Sequence, residues 1–116
     1  LLTACGQDKE NDQRAAYVNI TAEEAKRIMD SEEGYIILDV RTQEEYDQGH
    51  IPGATQISHE EIADKAEEVL TDKEQLILVY CRSGRRSKLA AEALVDLGYT
   101  NIKEFGGIID WPYETE

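Results

Sequence analysis

Leu76-Ile77-Leu78-Val79-Tyr80-Cys81-Arg82-Ser83-Gly84-Arg85-Arg86-Ser87-Lys88 passes through three physical regimes. Leu76 to Tyr80 is a continuous apolar run, the pattern of a strand buried on both faces of a parallel sheet. Cys81 to Arg86 holds a glycine and three arginines and reads as a loop. From about Ser87, Leu89, Ala90, Ala93, Leu94 and Leu97 recur at helical spacing, and Gly98 stops the helix. A buried strand that enters an amphipathic helix through a tight loop is half of a βαβ unit.

The same alternation extends outward. Tyr35 to Val40 reads YIILDV, a second buried strand. Val18 to Ile20, Thr55 to Ile57 and Ile102 to Phe105 supply three shorter ones. Thr21 to Glu24, Thr42 to Glu45 and Ser58 to Glu61 each place Ser or Thr three residues before Glu, the capping-box signature of a helix start. Behind them, Ala22, Ala25, Ile28 and Met29 form one apolar stripe and Ile62, Ala66, Val69 and Leu70 another. Gly49 is placed to end the second helix. The expected fold is α/β: a five-stranded, mainly parallel sheet with helices on both faces. With 116 residues the chain fits one such domain, taken as residues 17–116. Ligands in sheets of this kind bind beyond the carboxyl ends of the strands. Cys81 is expected there, as the first residue after its strand.

Charge makes the loop unusual. The chain holds 25 acids against 12 Lys and Arg, yet four of those cations and no acid fall between Cys81 and Lys88. Gly84 allows a tight turn, successive N–H groups in such a turn form an anion nest, and the following helix points its positive end at the same place. These features favour Cys81 as thiolate, the nucleophilic form of the thiol. Arg86, which closes the loop, is the first candidate for substrate contact, followed by Arg82 and Arg85. Asp39 and Arg41 end the other buried strand and read as an ion pair supporting the site. His50 lies in a Gly-His-Ile-Pro-Gly turn and is expected to be structural, and His59 to be a surface residue.

Cys81-Arg82-Ser83-Gly84-Arg85-Arg86 resembles the active loop of the rhodanese family, a cysteine opening a six-residue turn. Leu38-Asp39-Val40-Arg41, Glu45-Tyr46 and Gly49-His50-Ile51-Pro52-Gly53-Ala54 are similar to that family's first signature. Gly98-Tyr99, Phe105-Gly106-Gly107 and Trp111 resemble its closing segment. The likeness runs from about Val18 to Trp111. Asp110 departs from it and puts an acid at the expected border of the pocket. The resemblance implies a sulfurtransferase in which Cys81 takes a sulfane sulfur from thiosulfate or a similar small anionic donor, as a persulfide. A thiol or cyanide then accepts the sulfur. Backbone N–H groups of Arg82, Ser83, Gly84, Arg85 and Arg86 would hold the persulfide, with no metal or other cofactor. Two alternatives stand beside this. One is a non-enzymatic binding or signalling module on the same fold. The other is a cysteine phosphatase or arsenate reductase, whose loop resembles Cys, five residues, then Arg; here that position is Ser87.

The net charge of −13 argues against nucleic-acid partners. No apolar run reaches the roughly 18 residues of a membrane span. The two cysteines, Cys5 and Cys81, lie far apart and make no Cys-x-x-Cys pair, so neither a zinc site nor a disulfide is expected. Leu2-Thr3-Ala4-Cys5 resembles the end of a bacterial lipoprotein signal, and the polar stretch to residue 16 suits a tether. The expectation for this tail is lipid on Cys5 and an extracytoplasmic position on a bacterial membrane, reached only through that anchor.

Overall fold

Ile77–Cys81 forms β4, the central strand, and all five of its residues are buried. The computed structural model describes residues 17–116; Cys5 and the expected tether lie outside them. Around β4 the order in sequence is β1 (Val18–Asn19), α1 (Ala22–Ser31), β2 (Ile36–Asp39), α2 (Gln43–Gln48), β3 (Thr55–Gln56), α3 (Ile62–Val69), β4, α4 (Arg85–Asp96) and β5 (Ile102–Gly107). Short 3-10 turns at His59–Glu61 and Ile108–Asp110 precede α3 and follow β5. The strands pair in the order β1-β5-β4-β2-β3, and every pairing is parallel.

The apolar runs work as expected for a doubly covered sheet. On one face Leu38, Val40, Ile77, Val79 and Cys81 pack against Ile62 and Ala66 of α3 and Ala90, Ala91 and Leu94 of α4. On the other, Ile37, Leu78, Tyr80 and Phe105 pack against Ala25 of α1 and the Ile51–Ala54 turn. Each fully buried large apolar side chain contributes about 1.5–3 kcal/mol, so β4 is the strongest single anchor of the domain.

Four expectations need correction. Ser58 makes no cap: its hydroxyl donates to the Arg41 carbonyl at 3.3 Å, and a 3-10 turn delays the helix to Ile62. Val69 and Leu89 are exposed, at 47% and 45%. In α4 the true inner stripe is Ser87, Ala90, Ala91 and Leu94, spaced at three and four residues. Cys81 is the last residue of β4 rather than the first beyond it, and α4 starts at Arg85, two residues earlier than expected. The last difference matters most, because it folds the end of the loop into the first turn of the helix.

Candidate active site

The loop is shaped by two glycines. Gly84 adopts φ +105°, the left-handed region, and serves as the N-cap of α4. Gly107, at the end of β5, lets that backbone lie directly against the loop: a Cβ there would fall 2.0 Å from the Arg82 carbonyl oxygen. The same carbonyl accepts a hydrogen bond from the Ile109 N–H at 3.2 Å. The Phe105-Gly106-Gly107 segment is therefore the back wall of the Cys81 loop.

Cys81 is fully buried. Gly84 N–H donates to its Sγ at 3.0 Å, and the Ser87 Oγ lies 3.4 Å away. Burial by itself would push this thiol up. The Ser87 hydroxyl and the N–H groups of Ser87, Gly84 and Ser83 outweigh it and hold the thiol below its ordinary value. The early start of α4 places the Ser87 N–H among these donors.

The loop cations divide into two groups. Arg82 and Arg85 are exposed, and no ion pair among the described residues involves them. Arg86, expected to face substrate, is instead held by Glu45, with Nη1 2.8 Å and Nη2 3.0 Å from the two carboxylate oxygens. Glu45 is also the capping-box acid of α2 and accepts from the Thr42 N–H. The Arg86 fork, aided by Thr42, pulls the Glu45 carboxyl down to about 2. Arg86 thus ties the Cys81 loop to α2.

Asp39 is fully buried and accepts from Arg41 N, Nε and Nη2 and from the Tyr80 hydroxyl. Arg41 also donates to the Gly49 carbonyl, and the Tyr80 oxygen accepts from the Ile51 N–H at 3.1 Å. This network fixes the Gly49–Ile51 turn. His50 is stacked on Tyr46 at 3.8 Å, and its Nδ1 lies 2.9 Å from the Tyr46 carbonyl. His59 belongs to the 3-10 turn before α3. A cleft of about 320 Å³ opens between Arg41, Glu45, Arg82, Ile108 and Ile109. Asp110, expected at its border, is exposed and does not line it. A separate cleft of about 210 Å³ lies between α1 and the Trp111–Glu114 segment and contains no cysteine.

Sequence reasoning passed over two residues. In the sequence Ser87 marks a helix start and the place where a phosphatase loop needs Arg, yet its hydroxyl lies 3.4 Å from the Cys81 sulfur. Glu104 was not singled out, yet it is 2% exposed and accepts hydrogen bonds from Ser87 Oγ, Asn19 Nδ2 and Gly106 N–H. The available signal was an acid on the same face as Ile102 in a strand otherwise reading as core.

The sequence matches the rhodanese-like domain family over residues 21–112, and the loop, its glycine wall and the buried Asp39 network fall inside that span. The chain belongs to the rhodanese-like family. It is 36% identical over 112 residues to a putative sulfur carrier protein, YrkF, of Bacillus subtilis, covering 96% of this chain and 60% of that one. It is 38% identical over 73 residues to the thiosulfate sulfurtransferase PspE of Escherichia coli, covering 63% of this chain and 70% of that one. The chain therefore spans between three fifths and seven tenths of the length of these two curated relatives. Among solved structures, a rhodanese with anions from E. coli superposes with a TM-score of 0.66 at 34% identity, over 71% of this chain and 96% of that one. A rhodanese-like domain from Anabaena reaches 0.78 at 30% identity, over 84% and 77%.

Proposed function

We propose that this rhodanese-like chain is a sulfurtransferase that carries sulfur on Cys81. The observation that supports it most is the contact of one buried sulfur with the Gly84 N–H, which donates to it at 3.0 Å, and with the Ser87 hydroxyl 3.4 Å away. That arrangement favours an anion at Sγ in the thiolate state. The Cys81 thiolate attacks the outer sulfur of thiosulfate or a similar donor. A new S–S bond forms, the bond to the sulfonate sulfur breaks, and its electron pair leaves with sulfite. The terminal sulfur of the Cys81 persulfide is anionic and passes to a thiol or cyanide. Arg82, which lines the cleft, and Arg85, exposed in the same loop, attract the anionic donor against the acidic body of the protein. Because Cys81 shows no exposed surface, the exposed Arg82–Ser83 segment must shift for the donor to reach Sγ.

The deciding experiment is mass spectrometry after exposure to thiosulfate. One added sulfur on Cys81, lost in Cys81→Ser and kept in Cys5→Ser, is the expected result. Full thiocyanate production from thiosulfate and cyanide by Cys81→Ser would end this reading. For the tail, we propose lipid attachment at Cys5 and an extracytoplasmic position. Fatty-acid labelling of the full-length protein in a bacterium should mark the wild type and not Cys5→Ser; equal labelling of both, or of neither, rejects the anchor.

A further inference from the structure

The cleft at the Cys81 loop is bordered by three charged side chains, Arg41, Glu45 and Arg82. Two of these charges are answered within the fold. Arg41 is buried against the Asp39 carboxylate at 2.7 Å, and Glu45 is gripped by the Arg86 fork. Arg82 is exposed and takes part in no ion pair among the described residues. Gln48, Gly49 and Thr115 complete that side of the lining and add no charge. The cleft therefore presents one free cation to whatever enters it.

Beside that cation the lining turns apolar. Ile108 is half-buried and Ile109 is 57% exposed, and both line the cleft. The Ile109 N–H donates to the Arg82 carbonyl at 3.2 Å, which fixes the backbone of the apolar pair against that of the cation. An anion such as thiosulfate uses only half of this surface. It carries charge but no carbon, and it would leave Ile108 and Ile109 in water. Cyanide has no carbon stem either. A cleft that serves donor and acceptor in turn has to suit both, and the apolar half is left for the acceptor. Its volume, about 320 Å³, stands near the lower end of small-molecule sites, roughly 300–1,000 Å³. That is room for one charged end and a short carbon chain.

We propose that the sulfur acceptor is a small thiol bearing a carboxylate. The carboxylate sits on the Arg82 guanidinium, whose planar fork matches it, and the carbon stem lies on Ile108 and Ile109, with the thiol directed at the Cys81 loop. This inference rests on the sulfurtransferase reading and names the acceptor class within it. In the transfer, the thiol gives its proton to the terminal sulfur of the Cys81 persulfide, and its own sulfur attacks that same atom. A new S–S bond forms, the bond from that atom to Cys81 Sγ breaks, and the electron pair stays on Sγ as the thiolate. The acceptor leaves as a persulfide, and no outside oxidant or reductant is needed. Arg82 and Ile109 select the acceptor and exchange no proton with it.

The test separates the acceptor step from the donor step. The Cys5→Ser protein is loaded with thiosulfate, freed of excess donor, and checked by mass for one sulfur on Cys81. It is then mixed in single turnover with three thiols of similar length: 3-mercaptopropionate, its neutral amide, and the cation cysteamine. The ratio of variant to wild-type rate cancels each thiol's own reactivity. In Arg82→Gln the fall should follow charge: about fivefold for mercaptopropionate, the upper end of an exposed ion pair, less for the amide and least for cysteamine. Arg85→Gln removes a cation of the same loop that does not line the cleft, and should slow mercaptopropionate by a smaller factor. Ile109→Ser should slow all three thiols more than it slows cyanide, by about fourfold, the worth of one buried CH₂. In the wild type the preference for mercaptopropionate over its amide should shrink as salt is added, a readout that needs no variant. An equal fall for all three thiols in Arg82→Gln, an equal fall for mercaptopropionate in Arg85→Gln, or a wild-type preference indifferent to salt would overturn the proposal. Failure of the protein to take up sulfur at the loading step would remove the sulfurtransferase reading and this inference with it. Normal loading without the charge order would remove the inference alone.

Discussion

The carboxyl ends of β2 and β4 lie side by side, with Asp39 opposite Tyr80 in the sheet register, and both bury ionisable groups. At the end of β2, Asp39 is met by three donors of Arg41 and by the Tyr80 hydroxyl. Each charge has its counter-charge in contact. At the end of β4, Sγ of Cys81 is met by the Gly84 N–H and stands beside the Ser87 hydroxyl. No guanidinium is hydrogen-bonded to it, and the Arg86 fork is held by Glu45. A self-neutralised pair is inert and fixes geometry. Dipoles converging on an atom without a counter-ion leave its charge available for reaction. Neighbouring strand ends thus differ in how completely each charge is cancelled.

The sharpest way to break this comparison is to remove one charge from each end. Asp39→Asn leaves the buried Arg41 guanidinium without its partner and should cost about 3–5 kcal/mol of unfolding free energy. Cys81→Ser removes no compensated charge and should stay within about 1 kcal/mol of wild type, while losing all sulfur loading. Urea denaturation of both variants measures this. An Asp39→Asn protein as stable as wild type would mean that the β2 end does not hold the fold.

The division between the two ends was only partly legible in the sequence. YIILDV and LILVY gave the buried strands because an apolar run with no polar alternation has few other uses in a chain this size. The Thr21 and Thr42 capping boxes form, since each is closed by residues three positions apart. Ser58 failed because its hydroxyl found the Arg41 carbonyl, a partner 17 residues away. The Arg86–Glu45 fork was illegible for the same kind of reason: a separation of 41 residues is invisible to local pattern. Glu104 and Ser87 meet only when β5 and α4 are packed together. What the residues themselves pointed to was Cys81 and the loop around it; the partners that meet its sulfur from α4 come from tertiary packing.

A smaller effect is expected from the wall behind the loop. Gly107→Ala would put a Cβ 2.0 Å from the Arg82 carbonyl oxygen, and backbone cannot yield cheaply there. Overpacking of this kind costs about 1–3 kcal/mol, and the displaced loop should load sulfur far more slowly. Gly106→Ala meets nothing within 4 Å, although its φ of +88° carries a strain of its own, roughly 1–2 kcal/mol. Comparable stability losses with a much larger loss of sulfur loading in Gly107→Ala would locate the constraint at the loop. Equal loss of loading in both would assign it to backbone strain instead.

The smallest effect belongs to the pair that links the two ends. Arg86 and Glu45 join the Cys81 loop to the helix that follows β2, and both side chains are about a quarter exposed. Exposed pairs contribute about 0.2–1 kcal/mol, and bidentate geometry places this one toward the upper end. Its pH dependence has a definite sign. Folding lowers the Glu45 pKa to about 2, so the contribution is complete above the ordinary glutamate range, ~4.3, and fades as pH falls from there through about 2. A double-mutant cycle of Arg86→Ala and Glu45→Gln should show coupling near 1 kcal/mol at neutral pH, shrinking progressively with acid below that range. The same variants decide where Arg86 works. If it acts as the tie between loop and α2, removing either partner should slow sulfur loading by a similar factor, and the double variant should be little worse. If Arg86→Ala alone weakens thiosulfate use more than tenfold while Glu45→Gln leaves it intact, the guanidinium leaves its carboxylate to meet the donor. The β4 end would then carry its own counter-charge during the reaction, and the contrast with β2 would hold only at rest.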